Sequence, residues 1–99
     1  MPFVASCRAG AIGARVQVLP RTLTGDHLLA EFGCGTRQVL LLGHFDTVWP
    51  LGEIDRQPWK TTGGFLYGPG VYDMKAGLAS AMLAIRALVD GPGLAGRVT

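Results

Sequence analysis

Three side chains of this 99-residue chain, His44, Asp46 and Asp73, have the types and spacing to hold a divalent metal ion. His44 and Asp46 follow the apolar run Val39-Leu40-Leu41-Leu42, so they leave the carboxyl end of a predicted sheet strand, where α/β folds assemble their sites. Residues two apart in extended backbone face the same side, which lets the Asp46 carboxylate reach the His44 ring nitrogen that a ligand does not use. A carboxylate so placed fixes the tautomer of a metal-bound imidazole and raises its basicity. A hydrogen-bonded core histidine beside a turn-capping aspartate satisfies the same pattern. Asp73 stands where the bend Tyr67-Gly68-Pro69-Gly70 meets the strongest helical pattern of the chain. Aspartate is a favoured helix N-cap in its own right. A cap, however, needs neither the two glycines nor the small Ala76-Gly77 pair, which let another element approach closely. Gly68-x-Gly70 is not a dinucleotide fingerprint, because Asp73 takes the place of the third glycine and its charge would repel a pyrophosphate.

The elements that must position these groups are legible as patterns. Residues 2–12 carry Phe3, Val4, Cys7 and Ile12 on a helical period, with Gly13 placed to stop a helix. Arg15 to Leu19 alternates polar and apolar, Thr24-Gly25-Asp26 is a turn, and Leu28 to Phe32 is a second strand able to pair antiparallel with the first. After the Gly33-Cys34-Gly35-Thr36 turn, Val39 to Leu42 reads as a strand covered on both faces. Thr47 to Tyr67 is irregular, a loop over a cleft that ends in a short strand at Phe65-Leu66-Tyr67. Asp73 to Asp90 has Met74, Leu78, Ala81, Met82 and Ile85 at helical spacing and is stopped by Gly91-Pro92-Gly93. Arg97-Val98-Thr99 opens a further strand.

Taken together, the two constellations resemble a known family, the dinuclear zinc metallopeptidases that include acetylornithine deacetylase, succinyl-diaminopimelate desuccinylase, aminoacylase and glutamate carboxypeptidase. Gly43-His44-Phe45-Asp46-Thr47-Val48 is similar to its first metal signature, and Gly68-Pro69-Gly70-Val71-Tyr72-Asp73-Met74-Lys75 to its second. They occur in the family's order, and the stretch from Phe45 to Gly52 looks closest to the glutamate carboxypeptidase branch. The resemblance implies an α/β fold, here a partial three-layer αβα zinc-peptidase catalytic domain with an incomplete mixed sheet and flanking helices. It implies that His44 ligates one metal, that Asp73 bridges two, and that Asp46 joins the catalytic set by orienting His44. It also implies a cis peptide bond between Asp73 and Met74. The imidazole and carboxylate donors suit Zn²⁺, with Co²⁺ or Mn²⁺ as substitutes.

The reaction implied is hydrolysis of amide or peptide bonds in small peptides or N-acyl amino acids, of carboxypeptidase or deacylase type. Metal ions would activate a water and polarise the scissile carbonyl. In the family the general base is the first of two adjacent glutamates after the second motif. Here the glutamates are Glu31 and Glu53, both before Asp73, and the one later carboxylate is Asp90. The expectation is therefore that residues 1–99 are a piece of the catalytic domain, truncated at both ends, without the dimerisation domain and inactive alone, whose full-length parent is a homodimer. The competing expectation is a non-catalytic relative serving as an interaction or regulatory module.

Composition narrows the remaining classes. The length suits a single domain with one modest core, and an apolar share of 48% with 16% charged residues argues against disorder. The net charge of +2 is spread without a basic run, so nucleic acid is not an expected partner. No apolar run approaches a membrane span, and the expected location is cytoplasmic. Cys7 and Cys34 have no CxxC spacing and read as reduced, small core residues. Trp49 and Trp59 either line a cleft or anchor the loop that carries them, and Lys75 either steadies the Asp73 segment or faces solvent.

Overall fold

Alternating side chains between Arg15 and Phe32 build the first hairpin, as the pattern predicts. A computed structural model describes residues 12–99 and shows β1 (Arg15–Leu19) pairing antiparallel with β2 (His27–Gly33), in register from Arg15 opposite Glu31 to Leu19 opposite His27. Asp26 closes the connection by accepting the Arg21 backbone N–H at 3.0 Å, a bond that aspartate makes readily in turns. The helix expected over residues 2–12 lies, apart from Ile12, outside the described residues, as does Cys7.

Two further strands complete a mixed sheet. β3 (Gln38–Val39) lies at one edge, and the strand labelled here β6 (Arg97–Val98) inserts between it and β2, giving the order β1-β2-β6-β3. β6 runs antiparallel to β2 and parallel to β3. The Leu41 N–H extends that ladder by donating to the Thr99 carbonyl at 2.7 Å. The core on this sheet is small. Phe32 and Ile85 are its buried apolar residues, and Ile12, Val16, Leu94 and Val98 pack around them.

Two expectations fail in this part of the chain. Val39 to Leu42 is not a strand covered on both faces: the strand stops at Val39, and Leu40 and Leu42 are 69% and 88% exposed. Nothing among the described residues packs over these side chains, and β3 is in addition an edge strand bonded through β6 alone. Cys34 is exposed and unpaired instead of buried, since the turn after β2 carries it out of the sheet.

Contacts divide the chain into two compact units. Among the described residues one comprises those up to Leu42 together with Met82–Thr99, the other Gly43–Ala81. The second unit is more ordered than the expected loop. It contains the one-turn helix α1 (Glu53–Arg56) and an antiparallel hairpin of β4 (Lys60–Thr62) and β5 (Phe65–Tyr67). Gly63 and Gly64 link the hairpin with φ of +59° and +80°, the left-handed pair that a two-residue type I′ turn demands.

The long helix, α2 (Ala76–Asp90), starts later than its apolar period suggests. Asp73 (φ −115°, ψ 97°) and Met74 (φ −134°, ψ 33°) are not helical, and the peptide bond between them is cis. Asp73 therefore precedes the helix in a wide turn over Val71–Lys75 and does not cap it. The far end behaves as expected, with the Gly93 N–H closing on the Leu88 carbonyl at 2.7 Å. Ile85 is buried, whereas Leu88 and Val89 at the end of the same stripe are exposed. Among the described residues no helix is long and apolar enough to cross a membrane.

Candidate metal centre

His44, Asp46 and Asp73 all belong to the second unit, and the chain brings them together there. The His44 Nδ1 lies 3.0 Å from Asp46 Oδ1 and 3.3 Å from the Asp46 backbone carbonyl. This is the two-residue geometry that the sequence spacing predicts. The other ring nitrogen, Nε2, lies 3.0 Å from Asp73 Oδ1. One imidazole thus links the two motifs, with a carboxylate from each on opposite sides of the ring. With a carboxylate oxygen 3.0 Å from each ring nitrogen, the protonated ring donates to both, Nδ1–H to Asp46 and Nε2–H to Asp73, and loss of the Nε2 proton with Asp46 keeping Nδ1–H turns a lone pair toward the Asp73 side.

Close contacts between the two motif loops put Asp73 in place. A Cβ at Gly70 would run into the Thr47 methyl and would lie 2.7 Å from Lys75 Nζ. Gly70 itself has a φ of +70°, so both the backbone and the space require glycine. Lys75 folds back across this bend, with Nζ donating to the Pro69 carbonyl at 3.2 Å, and the Lys75 N–H closes the turn on the Gly70 carbonyl at 3.0 Å. Lys75 therefore steadies the Asp73 segment. Thr47 also accepts the Trp49 N–H on Oγ1 at 3.1 Å, which fixes the exit of the first motif. From below, the His44 backbone N–H donates to Met74 Sδ at 3.4 Å. Met74 was missed in the sequence because it also fits the apolar stripe of the following helix; its place directly after Asp73 was the available signal.

The electrostatics follow from these neighbours. Partial burial of the ring lowers the His44 pKa. The Asp46 carbonyl, the Asp73 charge and the hydrogen bonds to both carboxylates outweigh that effect, so the net displacement is upward from the ordinary 6.5. The same surroundings that favour a proton on His44 favour a cation, since both are positive charges placed between carboxylates.

The donor set fits zinc. Two donors about 2.0–2.1 Å from one tetrahedral zinc stand roughly 3.4 Å apart, so the His44–Asp73 separation of 3.0 Å has to open by only a few tenths of an ångström. The side chains of His44 and Asp73 are 47% and 69% exposed, leaving room for further ligands. Among the described residues no group of three or more His, Cys, Asp or Glu side chains is arranged to hold an ion. The other carboxylates considered for catalysis are engaged elsewhere. Glu31 faces Arg15 and Arg97, Glu53 accepts from Gln57 at 2.5 Å, and Asp90 is bonded to Arg86. An open groove of about 660 Å³ runs along the β4–β5 hairpin and is lined by Lys60, Phe65, Tyr67 and Tyr72 among others. Neither Trp49 nor Trp59 lines it.

Comparison with known proteins identifies the family. Residues 40–99 match the model of Peptidase family M20/M25/M40. The chain is similar to carboxypeptidase G2 of a Pseudomonas species, at 33% identity over 69 residues, which is 69% of this chain and 17% of that protein. It is similar to acetylornithine deacetylase of Proteus mirabilis, at 40% identity over 74 residues, 72% of this chain and 19% of that protein. It is also similar to succinyl-diaminopimelate desuccinylase of Rhodopseudomonas palustris, at 32% identity over 105 aligned positions, 85% of this chain and 26% of that protein. The chain spans 17% to 26% of the length of these curated relatives. The matched segment contains both metal motifs and more than half of the residues, and on this ground the chain belongs to Peptidase family M20/M25/M40.

Proposed function

We propose that this chain supplies one part of the catalytic centre of a zinc-dependent hydrolase acting on amide or peptide bonds, of the carboxypeptidase or deacylase type. The observation that carries the reading is a single imidazole with Asp46 on Nδ1 and Asp73 on Nε2, each at 3.0 Å. Membership in a family of hydrolases that are generally metal-dependent supports it. In this reading His44 binds the metal through Nε2, Asp73 offers its carboxylate as the shared ligand, and Asp46 holds the ring in the tautomer that keeps Nε2 free to bind. Bound zinc would acidify a water and polarise the scissile carbonyl. Thr47, Gly70 and Lys75 keep the two loops in register, so that both donors face one point.

The remaining ligands and the general base would come from residues outside this chain, because Glu31, Glu53 and Asp90 are held by other partners. The chain by itself is then a weak metal binder without hydrolytic activity, since few ligands hold zinc poorly. The substrate class would be N-acyl amino acids or peptides cleaved at a terminal residue. Calorimetric zinc titration tests the assignment: the chain should bind zinc, and His44→Ala and Asp73→Ala should each abolish the heat, whereas His27→Ala should leave it unchanged. Equal binding by all four proteins refutes the site.

A further inference from the structure

Both metal motifs converge on a residue that the proposed ligand set does not use. Met74 follows Asp73 directly, and its side chain runs back beneath the start of the first motif. There the sulfur accepts the His44 backbone N–H at 3.4 Å. A Cβ built on Gly43 would lie 3.3 Å from Met74 Cε, 3.5 Å from Met74 Sδ and 2.8 Å from Leu78 Cδ2. A Cβ built on Gly77 would lie 3.4 Å from the same methyl. Met74 thus fills a slot whose two ends are glycines, one preceding His44 and the other in the first turn of α2. A long unbranched thioether suits such a slot, being able to turn through a narrow space while presenting a weak acceptor at mid-length.

We propose that Met74 is a positioning residue: through its sulfur and its terminal methyl it fixes the height of His44 over Asp73, and so sets the distance between the two donors. The consequence for metal binding rests on the ligand reading given above, whereas the mechanical part does not. Asp73 and Met74 are adjacent, so any movement of the thioether is felt at both sides of the His44–Asp73 pair. Replacing the sulfur removes the one side-chain acceptor that the His44 amide has among the described residues.

The test uses the whole chain, free of metal and then titrated with zinc chloride. Met74→Leu conserves volume and removes the acceptor, so it should melt cooperatively like the parent. Hydrogen exchange at the His44 amide should become about tenfold faster, and zinc affinity should fall by about tenfold, at the low end of what loss of an orienting partner does. Met74→Gln restores an acceptor on an unbranched chain and should recover the protection of the His44 amide. Folded Met74→Leu with unchanged His44 exchange and unchanged zinc affinity overturns the proposal. If zinc binding is absent in the parent while Met74→Leu still exposes the His44 amide, the ligand reading fails and the positioning role stands. If zinc binding depends on His44 and Asp73 but ignores Met74, the reverse holds.

Discussion

At His44 each ring nitrogen meets a different carboxylate, and the two contacts have separable effects. In the proposed site Asp46 selects the tautomer and Asp73 shares the cation. Replacing Asp46 with Asn keeps the shape but removes the charge, so zinc affinity should drop by roughly 10- to 100-fold, the usual cost of losing a partner that orients a ligand histidine. The same change bears on pH. His44 in the folded, metal-free chain has its pKa displaced upward, so it binds its proton more tightly than in the unfolded chain. That contribution to stability is fully present below the unfolded value and is lost as pH rises through the folded value. Zinc competes with this proton, so apparent affinity should weaken as pH falls below the folded His44 value. An NMR titration of the His44 ring checks both: its midpoint should lie above that of the same ring in urea, and Asp73→Asn should narrow the gap more than Asp46→Asn, which leaves the Asp46 carbonyl and the Asp73 charge in place.

Elements carry these residues through contacts that only some sequence patterns reveal. The β1–β2 hairpin, the helix α2 and its Gly-Pro-Gly stop are periodic, and the chain builds them where the periods fall. The start of α2 was not legible, because Met74 continues the apolar period while the backbone at Asp73 and Met74 is not helical. The β4–β5 hairpin was hidden for the opposite reason. Its strands are three residues each, too short to show alternation, and only Gly63-Gly64 marked them. Val39 to Leu42 misled because an apolar run reports what a segment can be buried against and not whether that neighbour is present. The His44–Asp46 geometry, by contrast, follows from local spacing and was readable directly. The contact of Gly70 with Thr47 joins residues far apart in sequence, so only the fold exposes it. It is also open to test. Gly70→Ala combines a positive φ with a clash against the Thr47 methyl, and should cost about 1–3 kcal/mol in urea unfolding while weakening zinc binding through displacement of Asp73. Thr47→Ser in the same background removes the clashing methyl and should recover part of the loss.

For the whole molecule, the resources for stability are slight and the site is partial. Phe32 and Ile85 are the buried apolar residues among those described, while Leu40, Leu42 and Leu83 stand exposed. A ligand that binds only the folded form should raise its stability measurably. The family match covers both sequence motifs, and the span of 17% to 26% of the relatives' length sets the scale of what else those relatives contain. The central claim concerns the atoms around one ion. Zinc-edge X-ray absorption on the zinc-loaded chain reads them directly. One imidazole together with carboxylate or water oxygens, retained in His27→Ala and lost in His44→Ala, is the result expected. A shell containing sulfur from Cys34 or Cys7, or an imidazole signal that survives removal of His44, would contradict it.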